Sequence, residues 1–334
     1  MSDARIRLLS LDDVRAASPS PSQVLQYIRQ AYAHDAQGHV DVPLKIGIRP
    51  DRPDSFLDAM PAWVGADCRA LGMKWVSYYP DNRGQGKADS SGLIVLNHPE
   101  HGHPVCIMEG MLVTFMRTAA CAAVMAMPFI RRPPRRLGLV GCGGLGRWAL
   151  RMFAMAFPTL DTVYVSSLSS ASRERFCHEM GQEGDWKLIP VAEPSQAVRS
   201  ADIVISSVPP SAAPPIAPGW LGRESIFVPL DLLNSWHPEV LAEAGLLVAD
   251  SPAFLAKLLR MHRPGLAPPQ RMLRFQDVSA AEPHHAEGPT MIAVCGIAST
   301  DVVIGWEIYR RACEAGLGEL FDMKASDADM IRAA

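Results

Sequence analysis

The sequence predicts an α/β protein: a doubly wound parallel sheet joined to a discontinuous α+β unit. Three observations lead there. Residues 137–250 alternate short apolar strands with helical stretches, the texture of a parallel sheet. A glycine-rich loop, GCGGLG at 141–146, follows one of those strands and opens a helix. Residues 39–109 read as strands cut by Pro, Gly, Asp and Asn, a sheet of a different kind.

The chain can carry both parts. Its 334 residues suit two domains, and 48% hydrophobic with 20% charged residues is an ordinary globular balance. A net charge of −3 provides no field for nucleic acid or an anionic membrane, and neither is expected as a partner. The one basic cluster, RRPPRR at 131–136, is short and split by prolines, and reads as a solvated linker. Seven scattered cysteines with no CxxC suit a reducing compartment. No basic segment followed by an apolar run opens the chain, so a cytoplasmic location is expected.

In chain order, residues 1–40 read as helical, with PSPS at 19–22 opening the run from Gln23 to Ala36. Strands follow in VDVPLKIGIRP, SFLDAMPAWV, ALGMKWVSYYP and GLIVLNHPEHGHPVCIM. Residues 111–127 predict a long apolar helix that imitates a membrane span; Arg117 in its first half would be costly in lipid and suits a buried helix carrying one functional charge. Strands are then expected at 137–141, 162–167, 186–192, 201–208, 225–232 and 246–250, with helices at 146–157 and from about Ala171. The polar stretch 263–288 reads as loop, and residues 298–316 as an amphipathic helix. The simplest organisation places 1–130 with 298–334 in one domain and 131–297 in a Rossmann-type nucleotide domain.

The loop carries the most specific chemistry. Gly141 allows a tight turn, Gly143 lets a pyrophosphate approach the backbone, and Gly146 lets the helix pack on its strand. Gly144 and Leu145 complete the helix N-terminus, whose free N–H groups and positive dipole end face the phosphates. NAD is usually held by a carboxylate at the end of the second strand. Here Ser166 and Ser167 stand there, with Arg173 and Arg175 following. Nothing repels a 2′-phosphate, so NADP is favoured over NAD, although a serine hydroxyl can also bind a plain ribose.

The first domain supplies cations. Lys45 and Arg49, four apart on one expected strand, share a face. Lys74 and Arg117 lie in apolar runs, where a charge is costly unless paired. Either alone is more often a structural ion pair. Together, beside a nucleotide domain, they favour an anionic substrate, and arginine suits bidentate carboxylate recognition. Asp231 follows an apolar strand at the sheet end where such folds bind ligands, and can hold an amine or pass a proton; a helix cap or turn is the plainer reading. Asp58 is a weaker candidate of the same kind. His98, His101 and His103 sit in a Pro- and Gly-marked turn with only Glu100 beside them, and no metal is expected.

These pieces resemble the ornithine cyclodeaminase/μ-crystallin superfamily. VPLKIGIR, DAMPA at 58–62, GMKWVSYYPDN, HGHPVCIMEG, MRTAA, GCGGLG, ADIVISSVP, LLVADS and GIASTD occur in the family's order over most of the chain. The wording around KWVSYYPDN is closest to the alanine dehydrogenase and 2,3-diaminopropionate-forming types. The resemblance implies a dimerising α+β substrate domain, a homodimer, and chemistry at the Cα–N bond of a small amino or imino acid. By position it implies that Lys74, Arg117 and Lys45 or Arg49 bind the substrate carboxylate, that Asp231 is catalytic, and that Ser207, Val208 and Thr118 join the cofactor contacts. Pro229-Leu230 replaces the family's Gly-Ala before the aspartate. Asp58 stands where the cyclodeaminases place a glutamate, which puts ornithine itself in doubt.

The expected activity is therefore NAD(P)-dependent dehydrogenation of an α-amino acid or reduction of an imino acid. The alternatives are a cyclodeaminase that recycles its cofactor internally, and a non-catalytic μ-crystallin-like binding protein, against which intact Lys74, Arg117 and Asp231 argue.

Overall fold

The computed structural model describes residues 5–209, 214–262, 271–278 and 287–322. Two compact units result, residues 1–117 with 297–334 and residues 118–296.

The first unit opens with strand β1 (Arg5–Leu9), helices α1 (Leu11–Ala17) and α2 (Pro21–Ala36), and short strands β2 (Val40–Asp41) and β3 (Ile46–Ile48). Helix α2 begins where PSPS predicts: Ser20 and Gln23 form a reciprocal cap and Pro21 takes the first turn. The helical reading of residues 1–40 fails at Arg5–Leu9, which form a strand paired to residues 319–322 and 106–108. Both partners are remote in sequence, so nothing local reveals the ladder. Long strands β4 (Phe56–Val64), β5 (Ala70–Tyr78), β6 (Ser90–Asn97) and β7 (Pro104–Glu109) follow. Pro61 is tolerated inside β4 because β2 pairs with residues 63–64 and β3 with 57–59, leaving its missing N–H opposite a gap. Glu109 ends β7 and accepts from the amides of Met111 (2.6 Å) and Leu112 (3.0 Å), capping helix α3 (Met111–Ala126). By length and composition the segment Met111–Phe129 passes as a membrane span, yet 67% of it is buried within the protein.

The second unit alternates β8 (Arg136–Val140), α4 (Gly144–Ala156), β9 (Thr162–Ser166), α5 (Ser170–Met180), β10 (Lys187–Val191), α6 (Pro194–Arg199), β11 (Ile203–Ser206), β12 (Ile226–Pro229), α7 (Val240–Glu243), β13 (Leu246–Ala249), α8 (Pro252–His262), β14 (Met272–Arg274) and β15 (Thr290–Ala293). The order is β10-β9-β8-β11-β12-β15-β13-β14, with every pairing parallel. Its first five strands follow the doubly wound order 3-2-1-4-5, so the direction of winding reverses between β8 and β11. Within 263–288, which reads as loop, β14 and a turn at Phe275–Asp277 are formed; they gain order by pairing with β13. Residues 263–270 and 279–286 of that stretch lie outside the described residues.

Helix α9 (Ala298–Glu314) and strand β16 (Glu319–Asp322) return to the first unit, whose sheet runs β16-β1-β7-β6-β5-β4-β2 with β3 also on β4. Helix α9 packs on β4, β5 and β6. Gly305 permits the close approach, because a Cβ there would lie 3.2 Å from Ile94. The even-numbered residues of β4 and β5, from Asp58 to Val64 and from Ala70 to Lys74, are buried. The opposite face carries an apolar row across four strands, Ile46–Ala59–Trp75–Leu93. Ile46, Trp75 and Leu93 in that row are exposed.

Candidate active site

In the first unit, Lys74 on β5 and Arg117 on α3 meet at one carboxylate. Lys74 Nζ and Arg117 Nε each donate to Asp301 Oδ1 at 2.8 Å. Asp301 lies in the first turn of α9 with no exposed side-chain surface, and Lys74 and Arg117 retain 1% and 5%. Burial holds the Lys74 ammonium down to about 7, helped by the charges of Arg117 and Lys45, against the pull of Asp301. Asp301 moves below the ordinary carboxylate range: burial opposes this, but Arg117 and Lys74 outweigh it. Burial leads the Lys74 shift and opposes the Asp301 shift, but the sharing of one carboxylate by two cations pushes both the same way. Two cations share one anion, so the anion is doubly stabilised while each cation faces another.

Asp301 is the residue that sequence reasoning missed. It ends the quoted GIASTD, and the test that singled out Lys74 and Arg117, a charge in an apolar run, applies to it equally.

Lys45 and Arg49 flank a strand of only three residues instead of lying within a longer one, because β3 has partners only over Ile46–Ile48. The shared face survives. Arg49 Nη1 donates to Asp58 Oδ1 at 2.8 Å, and a Cβ on the intervening Gly47 would lie 2.4 Å from that oxygen, so glycine makes room for the pair. Asp58 is thus engaged by Arg49, while the charge of Lys45 reaches Lys74.

In the second unit, the C-terminal ends of the parallel strands gather the other candidates. Gly141 adopts φ +119°, and a Cβ there would lie 2.6 Å from the Ser207 carbonyl oxygen. A Cβ on Gly146 would lie 2.4 Å from the Gly141 carbonyl oxygen. Gly143, by contrast, faces open space and begins α4 without a side-chain cap. Gly143 and Gly144 are exposed and Leu145 half-buried. The helix end therefore presents uncapped N–H groups to an open cradle, as a dinucleotide pyrophosphate requires. At the end of β9, the buried Ser166 hydroxyl has no hydrogen-bond partner among the described residues. Half-buried Ser167 accepts from Arg173 through its carbonyl. Thr118 is half-buried on α3.

Asp231 follows β12 in a turn that puts Leu232 and Leu233 at φ +54° and +70°. Its Oδ2 accepts from Ser235 Oγ at 2.6 Å and from the Val208 amide at 3.3 Å, while its buried Oδ1 has no partner among the described residues. Burial raises its affinity for a proton, against the hydrogen bonds from Ser235, Val208 and Ser206. Ser206 is fixed in turn by Trp236, whose Nε1 donates to it at 2.6 Å. The turn is thus braced by Ser235 and Trp236, neither of which carries a sequence signal of its own. Asp250, after β13, is also buried and accepts from the amides of Cys295 (2.8 Å) and Gly296 (3.1 Å), holding the chain where it leaves this unit.

The histidine turn brings ligand atoms of His98, Glu100 and His101 within 4.8 Å of one another. Those groups engage local partners: the two imidazoles stack at 4.6 Å, His98 Nδ1 accepts from the Glu100 amide, and Glu100 pairs with Arg69 at 3.2 Å.

A Rossmann-type dinucleotide cradle, carried in one chain with a unit holding buried cations, defines a class of nicotinamide-dependent proteins that act on small anions. The model of the ornithine cyclodeaminase/mu-crystallin family matches residues 7–225, and the chain belongs to that family. It is 29% identical over 321 residues to the nodulation efficiency protein NfeD of Rhizobium meliloti, covering 95% of this chain and 98% of that protein. It is 27% identical over 249 residues to N-((2S)-2-amino-2-carboxyethyl)-L-glutamate dehydrogenase of Staphylococcus aureus, covering 72% and 74%. Among solved structures, Thermococcus litoralis Δ1-pyrroline-2-carboxylate reductase, in complex with NADH and L-proline, superposes with a TM-score of 0.82 at 22% identity, covering 94% and 99% of the two chains.

Proposed function

We propose that this protein is an NAD(P)-dependent oxidoreductase that acts on the Cα–N bond of an α-amino or imino acid. The observation that carries the reading is the buried triad, in which Lys74 and Arg117 share a single carboxylate oxygen of Asp301. Such a cluster remains cation-rich although its side chains are buried, and a substrate carboxylate supplies the complementary charge. Family membership and the named dehydrogenase and reductase relatives support the same chemistry.

The cofactor fits the second unit on its own features: the open cradle at Gly143, the uncapped start of α4, and the Ser166 hydroxyl without a partner among the described residues. When bound, the nicotinamide supplies or accepts hydride at Cα. The protein does the rest. Lys74 and Arg117 fix the substrate carboxylate, with Lys45 and the Asp58-oriented Arg49 adding positive potential, and this fixes Cα. Asp231, with one oxygen held by Ser235 and Val208 and the other uncommitted, binds the substrate nitrogen and holds or yields its proton. The serines and Arg173 at the end of β9, without a carboxylate, support acceptance of NADP as well as NAD. The exposed apolar row Ile46–Ala59–Trp75–Leu93 supports a homodimer assembled through that sheet face. A cytoplasmic enzyme of small-molecule metabolism is consistent with seven free thiols.

The test is turnover. α-Amino acids with oxidised cofactor, and cyclic imino acids or keto acids plus amine with reduced cofactor, are assayed by net change in nicotinamide absorbance. Net turnover of one such pair is expected. Tight cofactor binding with no turnover across the panel refutes the reading, and product without net absorbance change assigns a cyclodeaminase instead.

A further inference from the structure

The RRPPRR segment, read from the sequence as a solvated linker, lies at a cavity of about 240 Å³ in the second unit. The cavity sits at the N-terminal ends of the parallel strands. Arg136 begins β8, Ala201 and Asp202 precede β11, and Gly222 to Ser225 precede β12. The glycine loop occupies the other end of β8, so the length of that strand, roughly 15 Å, separates the two sites.

Five guanidinium groups line this cavity, those of Arg131, Arg132, Arg136, Arg199 and Arg223, against the carboxylates of Asp202 and Glu224. That is an excess of three positive charges in a chain whose net charge is −3. Two carboxylates cannot balance five guanidinium groups, although they pair with Arg131, Arg132 and Arg136. Asp202 accepts from the amides of Arg135 and Arg136 at 3.0 Å each and from the Arg136 side chain, and stands 3.9 Å from Arg132, so most of its capacity goes to the backbone and one guanidinium. Glu224 stands 3.8 Å from both Arg131 and Arg132, close enough for attraction and too far for hydrogen bonds. Arg199 lies over the Trp220 ring at 5.7 Å, which orients its guanidinium without discharging it. The prolines between the arginines restrict the backbone, and Pro134 is buried, so the segment is anchored before any ligand arrives.

We propose that this cavity is a second anion site, separate from the cofactor cradle, for a small ligand bearing a diphosphate group. Arginine forks match phosphate oxygens two at a time, and several converging forks select a polyanion over a single carboxylate. The volume falls below the roughly 300–1,000 Å³ of sites for drug-sized molecules, so a diphosphate or one compact substituent on it fills the space. Inorganic pyrophosphate and the diphosphate of a nucleotide share this chemistry.

The experiment is calorimetric titration of the full chain at low ionic strength. NADH is present at saturation, so that the glycine cradle is already filled. Pyrophosphate and ADP are titrated separately into the wild type and into Arg132→Gln/Arg223→Gln, two exposed positions whose replacement leaves the core untouched. One pyrophosphate per chain is expected, weakened at least about tenfold in the variant and weakened further by salt, with NADH affinity unchanged. Tighter binding of ADP than of pyrophosphate assigns a nucleotide; equal binding assigns the bare diphosphate. Absence of pyrophosphate binding to the wild type, or equal binding by the variant, overturns the proposal.

Discussion

Asp301→Asn tests whether the buried carboxylate keeps Lys74 protonated for substrate binding. The two groups are 2.8 Å apart and fully buried. At an effective dielectric of about 20 their attraction is about 6 kcal/mol, or about four units of lysine pKa. The asparagine keeps an oxygen facing the ammonium, so part of this is retained, and a fall of at least about one unit is expected. Lys74 starts at about 7, so near neutral pH it is about half protonated. A one-unit fall leaves roughly one molecule in eleven protonated, which lowers kcat/KM at pH 7 about fivefold. The assay is kcat/KM against pH. Its alkaline limb, where activity falls as Lys74 loses its proton, should move to lower pH in Asp301→Asn and vanish in Lys74→Met. A limb that stays in place refutes the reasoning. Stability provides a check that does not depend on turnover. Removing one member of a buried ion cluster costs about 3–5 kcal/mol, and Lys74→Met/Asp301→Asn should recover part of that loss because it removes a cation with the anion. The wild type has its own signature. Folding lowers the Lys74 pKa from its ordinary 10.5, so the unfolded chain binds the proton more tightly and stability rises as pH climbs from about 7 towards 10.5.

Four further outcomes are expected. Gly146→Ala, whose Cβ would lie 2.4 Å from a backbone oxygen, should cost about 1–3 kcal/mol and lower Tm, while Gly143→Ala, facing open space, should leave Tm unchanged and weaken NADH binding in a fluorescence titration. Asp231→Asn should lower kcat by about 10²–10⁴ with cofactor affinity intact, and an unchanged kcat would remove Asp231 from the chemistry. Ser167→Asp places a carboxylate at the end of β9 and should raise KM for NADP about tenfold or more relative to NAD, measured with both cofactors. Trp75→Glu, in the exposed apolar row, should yield a monomer by analytical ultracentrifugation with cofactor binding retained, whereas an unchanged assembly would place the interface elsewhere.

The sequence by itself determined the features that depend on near neighbours. GCGGLG between a strand and a helix specified the cradle and the separate task of each glycine, because backbone conformation and close approach leave glycine no substitute at 141 and 146. Alternating strands and helices gave the parallel sheet, and PSPS the start of α2. Lys74 and Arg117 were legible because a charge in an apolar run advertises a partner. The partner was not legible. Asp301 lies 227 residues from Lys74 and 184 from Arg117, and only the packing of α9 on β5 brings the carboxylate to them. The same limit hid β1, whose ladder partners are distant, and shortened the strand expected around Lys45 and Arg49, where pairing rather than pattern sets the ends. It turned RRPPRR from a plain linker into one wall of a cavity whose other arginines, Arg199 and Arg223, arrive from separate strand-to-strand connections. Local sequence encodes backbone conformation and the cost of burying a charge. Which distant group relieves that cost is decided only when the sheets are assembled.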